Sequence, residues 1–503
     1  MNCPIGIRSL AVSFPSIIRT NEYWQEKYPE LFAQVKPRTA RVSRSASPTN
    51  NQLDIWSQAV APYLLDPFRG NVERRVLAKD ESSMTLEYRT AKEALEVAKL
   101  SPVEVELMIV ASLVPEHIGS GNASYLAQQL ELQCPAWNLE STCSSALIAL
   151  QNAHALIQTG AYRNVLVVVS HIGSNSVDEE DTLSWSMGDG AGAFVVDLLK
   201  PNQGILSSKI VSTAETHNAY LHELVTDRNG KPWIRTRTGE NTSILAETAV
   251  DFVRECCQDA VKAASISLDE IDFFAFNTPT AWYSDVCTQA LGINPKRTIN
   301  LYPRYANIGP VFPIANLYHA VLDGKIRENN LVLVYTKGAA ATAAATVMCW
   351  GEVVIGQAPA PPLSLTQAQE KIQQVQTDNL ATEKLFAVQT INFSKEKLLL
   401  AYPEERQQIL ETYILEWLAN LLQLPAAKLS KDQPLASILD SLTTLLLKNK
   451  IETDLQMRVP IEKFFGEKNI THLVELLLNQ LALVNLTNTI DANEEQEREV
   501  LSL

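Results

Sequence analysis

Paired cysteines are the first feature that the sequence lacks. Its seven cysteines, among 503 residues, include no C-x-x-C pair and no cysteine and histidine run with metal-ligand spacing. Both a disulfide framework and a cysteine-based metal site are therefore disfavoured, and unpaired thiols are typical of a reducing cytosol. We accordingly expect a cytoplasmic protein that needs no metal.

Positive charge and long apolar runs are also scarce. The formal net charge is −15, which disfavours nucleic acid and an anionic membrane surface as partners and favours small molecules or an acidic carrier. The apolar N-terminus lacks the basic start and cleavage region of a signal peptide. The most apolar later stretch, residues 331–350, is interrupted by Lys337 and Gly338. That stretch predicts two buried strands around a turn and no membrane span.

One cysteine lies where a reactive thiol is expected. The stretch Glu140-Ser-Thr-Cys143-Ser-Ser is followed by apolar residues at helical spacing as far as Gly160, and residues 165–170 then predict a buried strand. Cys143 should therefore lie at or just before a helix N-terminus, where unpaired N–H groups and the helix dipole favour the thiolate. The alternative is a buried structural thiol, as for most cysteines.

The first 355 residues predict two similar halves. Strand-like apolar runs alternate with helical patterns in both halves, including helices at 82–100 and 243–265. Such alternation predicts an α/β fold with buried, layered sheets. Between these elements, Glu73-Arg74-Arg75 is interpreted as a solvated charge cluster. The glycine-rich stretch 188–192 precedes a strand instead of a helix, which disfavours a dinucleotide-binding loop and favours close backbone packing at a site.

The composition changes abruptly after Gly356. A proline-rich opening and a Gln-, Lys- and Thr-rich continuation are typical of a linker. Amphipathic helices are then predicted at 404–422 and 470–481, and the last residues form an acidic tail. The predicted segments are an N-terminal half, a C-terminal half, a linker, a helical unit and the tail, at residues 1–200, 201–355, 356–403, 404–482 and 483–503.

Four motifs resemble, in order and spacing, the active-site motifs of β-ketoacyl-acyl carrier protein synthase III, a thiolase-fold family. They are the Cys143 turn, the glycine-rich stretch 188–192, the loop that opens at Asn277, and Tyr305-Ala-Asn307. The resemblance covers residues 4–355. It implies a duplicated, layered α-β-α-β-α fold, a homodimer, and a position near the branch of specialised polyketide pathways that includes starter-unit acyltransferases.

The resemblance also implies roles for single residues. Cys143 corresponds to the nucleophile and Asn307 to the asparagine of the active site, while Asn277 replaces the usual histidine. The main-chain N–H groups of Cys143 and near Gly338 would form the oxyanion hole. Asn277 can present an N–H donor but cannot transfer a proton. Decarboxylating condensation should therefore be weakened without being lost.

An acyltransferase reaction would need a general base that Asn277 cannot supply. A thiol acceptor is easier to activate than an alcohol because it is more acidic. A histidine could act as the base only if the fold turns it inward, and His319, in the helix after Asn307, is the first candidate. The four histidines considered are His171, His217, His222 and His319.

The C-terminal unit resembles an acyl or peptidyl carrier protein. Asp440-Ser441-Leu442 opens a predicted helix and is followed by Val459-Pro460. The resemblance implies covalent 4′-phosphopantetheine on Ser441, attached by a phosphopantetheinyl transferase, and no metal. The alternative is an ordinary helix start, because aspartate is a common capping residue.

Together these features predict an enzyme that uses acyl-CoA or acyl-carrier-protein thioesters. The main hypothesis is ketosynthase III-type acyl transfer or condensation with the fused carrier, in specialised polyketide or fatty acyl biosynthesis. One alternative is a non-condensing acyltransferase for a starter or tailoring group. The other is a catalytically impaired scaffold that docks the carrier.

Overall fold

In the computed structural model the chain divides into two units. The structure describes residues 4–34, 54–226, 232–240, 242–357, 395–422, 429–433 and parts of 435–481. One unit comprises Met1–Arg38 and Ile55–Leu380, and the other comprises Thr39–Asp54 and Ala381–Leu503. Each unit has a hydrophobic core of its own.

Helices and strands alternate along the first unit, as the sequence pattern predicts for an α/β fold. In chain order they are β1 Ile5–Ser13, β2 Ile17–Thr20, α1 Glu22–Lys27, α2 Pro29–Gln34, α3 Ile55–Val60, β3 Glu73–Val76, α4 Ser83–Ala98, β4 Met108–Leu113, α5 Ala123–Gln129, β5 Ala136–Asn138, α6 Ser145–Gln158, β6 Val165–Ile172, β7 Asp189–Leu198, β8 Gly204–Ser212, β9 Tyr220–Thr226, β10 Pro232–Thr238, α7 Thr242–Glu247, α8 Ala249–Ala263, β11 Phe273–Phe276, α9 Tyr283–Leu291, α10 Tyr302–Tyr305, α11 Phe312–Leu322, β12 Leu331–Lys337, β13 Thr342–Cys349 and β14 Val354–Ile355.

Two mixed sheets form the frame of this unit. The first has the strand order β14-β1-β7-β6-β4-β5, and the second has the order β11-β12-β13-β8. In the first sheet β4 runs parallel to β5 and β6, and in the second β11 runs parallel to β12. Parallel neighbours need crossover connections, which the helices supply. The first sheet has six strands and the second has four, so the halves are similar and not identical.

The helices lie in three layers around the sheets. α6 and α11 share one core with the facing sides of both sheets. α4 and α5 cover the outer face of the first sheet, and α8 and α9 cover that of the second. Every residue of β6 is buried, and each fully buried valine, leucine or isoleucine contributes about 1.5–3 kcal/mol. The layered α-β-α-β-α prediction is therefore confirmed.

The charged stretch 73–75 is not a solvated cluster, contrary to expectation. Arg74 is 0% exposed and Arg75 is 2% exposed. The Arg74 guanidinium donates to Asn21 Oδ1 at 3.0 and 2.9 Å and to the Trp185 main-chain oxygen at 2.6 Å. It also lies 4.4 Å from the Trp24 ring. Burial lowers the pKa of Arg74 to about 9. Neutral acceptors and an aromatic face take the place of the water that this cation loses on burial.

The helix predicted at 243–265 is broken near its start. α7 ends at Glu247 and α8 begins at Ala249. The intervening Thr248 donates its hydroxyl to the Ile244 main-chain oxygen at 2.7 Å and accepts from Lys337 Nζ at 2.9 Å. A threonine hydroxyl that bonds back to the preceding turn competes with the helix and explains the break.

The described part of the second unit is helical. It contains α12 at Lys395–Leu400, α13 at Pro403–Leu422 and helical residues 470–479. Apolar side chains of this unit form one core, with members such as Leu410, Ile414 and Leu477. The predicted attachment site, Ser441, lies outside the described residues, as do the predicted tail and most of the predicted linker.

Candidate active site

Cys143 lies on a tight turn between β5 and α6. Thr142–Ser144 form a single 3₁₀ turn, and α6 begins at Ser145. Thr142, directly before the cysteine, has a φ of 48°. A left-handed conformation is unfavourable for a β-branched residue and costs on the order of 1–3 kcal/mol, so surrounding contacts must hold it.

The loop between β12 and β13 holds this strained turn. A Cβ added to Gly338 would lie 2.2 Å from Thr142 Oγ1 and 2.6 Å from the Ser141 main-chain oxygen. Ser144 Oγ donates to the Thr342 main-chain oxygen at 2.6 Å, and the Ser141 and Thr342 hydroxyls are 2.8 Å apart. Only glycine allows the loop to come this close to the nucleophile.

The main-chain N–H of Gly338 is not available to an oxyanion, which corrects the expected oxyanion hole. It donates to the Thr342 main-chain oxygen at 2.8 Å. The N–H groups of Ala340 and Ala341 donate to threonine hydroxyls at 2.7 and 3.0 Å. The Ala339 N–H has no hydrogen-bond partner within the described ranges. Ala339 is therefore the loop residue that can supply the second oxyanion donor.

Asn277 lies beside the cysteine and is almost fully buried, at 1% exposure. Its Nδ2 donates to the main-chain oxygens of Cys143 and Gly309, at 3.2 Å each. Its Oδ1 is buried and finds no partner in the part of the chain that the structure describes. Because both N–H donors are engaged, the expectation that Asn277 presents a free donor is wrong for this arrangement. The amide instead ties the cysteine turn to the loop at Gly309.

Asn307 lies in the bend after α10. Its Oδ1 accepts from the Gly309 N–H at 2.9 Å, and its main chain bonds to Ser186 and Gly188 at 2.8 and 3.0 Å. A Cβ on Gly188 would lie 2.0 Å from the Tyr305 main-chain oxygen, so this glycine permits the close packing expected there. No described residue accepts from the Asn307 side-chain N–H groups. They can therefore donate to a substrate.

The resemblance places a histidine where this chain has Asn277. None of the four candidate histidines substitutes for it. His319 Nε2 shares a hydrogen bond with Tyr305 Oη at 3.0 Å, and burial lowers the pKa of His319 to about 3. His171 packs against Gly309, and burial lowers its pKa to about 4. His222 Nδ1 lies 2.9 Å from the Thr236 hydroxyl, and His217 is exposed. The two inward-facing rings, His171 and His319, are thus neutral at physiological pH.

The Cys143 thiol is harder to ionise than a free cysteine. Although part of its surface is accessible, burial raises the pKa of Cys143 to about 12, and the Glu140 carboxylate is the second cause. The cysteine's own N–H acts in the opposite direction. Burial, the largest cause of the raised pKa, opposes the thiolate that the helix N-terminus was expected to favour, and that expectation stays a prediction.

Sequence reasoning did not single out two further residues, Glu140 and Tyr220. Glu140 Oε1 accepts from the Thr142 main-chain N–H and lies 3.3 Å from Ser145 Oγ, whose hydroxyl donates to the Thr142 main-chain oxygen at 2.8 Å. Burial raises the pKa of Tyr220, at the start of β9. The carboxylate three residues before the cysteine could have been found from the sequence. Tyr220 could not, because it lies far from Cys143 in the chain and its burial depends on the tertiary fold.

Two family models match the first unit. The model for 3-oxoacyl-[acyl-carrier-protein] synthase III matches residues 137–214, and its C-terminal counterpart matches residues 261–350. These ranges contain Cys143, Asn277, Asn307 and Ala339. The first unit is ketosynthase III-like, with a thiolase fold. Its fold therefore agrees with the one that the motifs predict.

Individual relatives resemble the ketosynthase III-like unit over most of their own length. The β-ketoacyl-[acyl-carrier-protein] synthase III of Aquifex aeolicus is 28% identical over 291 residues, covering 57% of this chain and 88% of the relative. The Microcystis aeruginosa enzyme of the same name is 28% identical over 297 residues, covering 56% of this chain and 88% of that protein.

Solved structures show the same fold. The Aquifex aeolicus synthase III structure has a TM-score of 0.55 at 24% identity, covering 69% of this chain and 100% of that chain. A structure of Xanthomonas campestris OleA with bound lauric acid and lauroyl-CoA has a TM-score of 0.57 at 15% identity, covering 70% and 100%.

Among the described residues, no helix has the length and apolar character that a membrane span requires. No three histidine, cysteine, aspartate or glutamate side chains among them are grouped so that they could hold a metal ion.

Proposed function

We propose that the ketosynthase III-like unit transfers acyl groups from thioesters through an acyl-Cys143 intermediate. The observation that carries this proposal is the strained turn at Cys143, held between the loop at Gly338 and the amide of Asn277. Strained, over-determined turns are typical of nucleophile positions. The ketosynthase III similarity of the unit gives the substrate class, acyl-CoA or acyl-carrier-protein thioesters.

Acylation of the cysteine needs two electrostatic contributions. As the Cys143 sulfur attacks the thioester carbon, the carbonyl oxygen becomes an oxyanion. The main-chain N–H groups of Cys143 and Ala339 are the donors we assign to it, and one such donor is worth about 10²- to 10³-fold in rate. The leaving thiolate of the donor substrate then takes up a proton.

The second half-reaction distinguishes condensation from simple transfer. Condensation requires donors for the enolate that remains when carbon dioxide leaves a malonyl thioester. Asn307 can provide N–H donors, whereas those of Asn277 are bound to main-chain oxygens. With one side-chain donor instead of two, condensation is slowed. This observation favours the second candidate function, a non-condensing acyltransferase whose acceptor is a thiol.

The carrier part of the proposal concerns the second unit. We assign it the function of an acyl carrier with 4′-phosphopantetheine on Ser441, loaded by a phosphopantetheinyl transferase. The Asp440-Ser441-Leu442 motif and the helical core of the described residues support this assignment. The acyl group on Cys143 would pass to, or condense with, the carrier in specialised polyketide or fatty acyl biosynthesis in the cytoplasm.

The assembly that we propose for the ketosynthase III-like unit is a homodimer. β5 is an edge strand of the first sheet, and Trp137 on it is 38% exposed. An unpaired strand edge with an exposed aromatic residue offers hydrogen-bonding groups and apolar surface to a second copy. Sedimentation velocity at several concentrations tests this assignment.

Product analysis separates the candidate functions. The phosphopantetheinylated protein is incubated with an acyl-CoA, with and without malonyl-CoA, and its mass is followed beside that of the Cys143→Ala variant. An extended, decarboxylated acyl group on the carrier establishes condensation, and an unextended group establishes acyl transfer. In Asn277→His the share of extended product should rise. The absence of any Cys143-dependent acyl mass would refute the proposal and leave the scaffold alternative.

A further inference from the structure

The loop between β12 and β13 carries the main-chain N–H of Ala339, which we assign to the oxyanion. A donor of this kind is effective only when it points to the place where the negative charge develops, at about 2.7–3.1 Å. Residues 338–341, which form the loop, are one glycine and three alanines. None of their side chains can form a hydrogen bond, so other segments must fix the position of the N–H.

Thr213, which follows β8, joins the two ends of this loop. Its hydroxyl donates to the main-chain oxygen of Gly338 at 2.6 Å and accepts from the N–H of Ala341 at 3.0 Å. Its main-chain N–H donates to the main-chain oxygen of Ala341 at 3.2 Å. One residue therefore sets the distance between the first and the last residue of the loop.

Thr216 holds the middle of the loop. It lies in the 3₁₀ turn Ala214–Thr216, and its hydroxyl accepts from the N–H of Ala340 at 2.7 Å. The same hydroxyl donates to the main-chain oxygen of Thr213 at 2.8 Å, which links the two threonines. Ala340 has a φ of 55°, a left-handed conformation that is unfavourable for a residue with a Cβ. The bond from Ala340 to Thr216 therefore supports a strained position next to Ala339.

Both threonine hydroxyls are shielded from water. Thr213 and Thr216 are each 0% exposed, and each hydroxyl accepts one hydrogen bond and donates another. Water cannot compete for these bonds, and a partner left unpaired in the interior is costly. The pair therefore keeps the loop in one conformation, as a preorganised oxyanion donor requires.

The N–H of Ala339 is the group that this arrangement leaves unpaired. The N–H groups of the other three loop residues are bonded, whereas that of Ala339 has no partner among the described residues. The main-chain oxygen of Ala339 accepts from Thr142 Oγ1 at 3.4 Å. The two threonines thus fix the residues on both sides of Ala339 and leave its N–H beside the turn that carries Cys143.

We propose that Thr213 and Thr216 are positioning residues, whose hydroxyls hold the Ala339 N–H where the oxyanion of the thioester forms. This inference rests on the proposed acyl-cysteine function and names the groups that preorganise its oxyanion hole. Both hydroxyls bond to main-chain groups of the loop or of each other's turn. They therefore act on the reaction through the main chain of the loop, without contact to the sulfur or the substrate.

The other contacts of this region hold segments next to the loop. Lys337, before the loop, donates from Nζ to the Thr248 hydroxyl at 2.9 Å and so ties the end of β12 to the break between α7 and α8. Ser144 Oγ donates to the main-chain oxygen of Thr342, after the loop. Because these contacts lie outside residues 338–341, they do not replace a lost threonine hydroxyl.

Two reactions of Cys143 test the proposal in Thr216→Val, which keeps the shape of the side chain but removes its hydroxyl. Acylation by an acyl-CoA, followed by mass spectrometry, should have a maximal rate that is lower by about 10²-fold, the cost of a misplaced catalytic group. The acyl-CoA concentration that gives half of this rate should stay the same, because the oxyanion donor acts in the transition state. Alkylation by iodoacetamide displaces iodide from a saturated carbon and forms no oxyanion, so its rate should not change.

Three further variants complete the experiment. Thr213→Val should show the same selective loss, and Thr216→Ser, which keeps the hydroxyl, should restore most of the acylation rate. Thr346→Val is the matched control, because Thr346 is also 0% exposed and its hydroxyl bonds to side chains outside the loop, at 3.1 and 3.0 Å. It should leave both reactions unchanged. Protection of the buried Cys257 from iodoacetamide shows that a variant is folded.

Three results would overturn the proposal. An unchanged acylation rate in both valine variants would show that the loop keeps its position without the hydroxyls. Equal slowing of acylation and alkylation would show that the threonines support the Cys143 turn and not the oxyanion donor. If the wild-type protein reacts with iodoacetamide at Cys143 but with no acyl thioester, the proposed function fails and this inference fails with it. The first two results leave the proposed function standing.

Discussion

The side-chain amide of Asn277 donates a hydrogen bond to the main-chain oxygen of Cys143, at 3.2 Å. A second bond from the same nitrogen reaches Gly309. The side chain of Asn277 thus stabilises the nucleophile turn, and both of its amide N–H groups are used in these two hydrogen bonds. Changes at this position should therefore affect stability as well as chemistry.

Asn277→Ala should destabilise the protein. It leaves two buried main-chain oxygens without their donor, and an unsatisfied buried acceptor costs about 1–3 kcal/mol. We expect the free energy of unfolding to fall by about that amount, measured by urea unfolding followed by tryptophan fluorescence. An unchanged unfolding midpoint would show that the two hydrogen bonds do not hold the turn.

Gly338→Ala should damage the site more than the fold. The added Cβ would meet Thr142 Oγ1 at 2.2 Å, and it would displace the turn by a fraction of an ångström or more. Displacements of this size can cost about 10²-fold in rate, and overpacking costs about 1–3 kcal/mol. The measurements are the Cys143 acylation rate and the unfolding midpoint.

Gly119→Ala is the matched control for this change. A Cβ added to Gly119 meets no atom within 4 Å, so both measurements should match the wild type. Equal behaviour of the two glycine variants would contradict the close approach at Gly338.

Asp189, in the glycine-rich stretch, should make stability depend on pH. It is 0% exposed and accepts from Ser174 and Leu77, and burial raises its pKa from 3.8 to about 6. The folded state therefore binds a proton more tightly than the unfolded state. This contribution is fully present below about pH 4 and is lost as the pH rises through about 6.

Comparison with Asp189→Asn isolates that contribution, because all other titrating groups are the same in the wild-type protein and the variant. Between pH 4 and pH 7 the wild-type protein should lose about 2 kcal/mol of unfolding free energy relative to the variant. Urea unfolding at both pH values measures the difference. A difference that stays constant with pH would mean that folding does not raise the pKa of Asp189.

Ser441→Ala should abolish loading of the carrier. A phosphopantetheinyl transferase and CoA should add one phosphopantetheine to the wild-type protein and none to the variant, as measured by intact mass. Ser430→Ala, in the same unit, is the control and should load normally. Loading of Ser441→Ala would place the attachment site at another residue.

Elements whose pattern lies in consecutive residues could be predicted from the sequence. The unbroken apolar run of β6 and the helical spacing of α6 depend on local periodicity, and both lie where expected. The position of Cys143 just before α6 follows from the same pattern.

Features that depend on residues distant in the chain could not be predicted. The burial of Arg74 requires Asn21 and Trp185 to surround it. The engagement of the Gly338 N–H depends on how its loop turns back on Thr342. The raised pKa of Cys143 depends on the number of atoms that exclude water from it, and neither propensity nor spacing contains that information.

The measurement that tests the account most directly is the site of acylation. The protein is mixed with an acyl-CoA, digested and analysed by mass spectrometry, with Cys143→Ala and Cys134→Ala alongside. We predict one acyl group on the peptide that carries Cys143, present in Cys134→Ala and absent from Cys143→Ala. Acylation at another residue, or equal acylation of Cys143→Ala, would contradict the account.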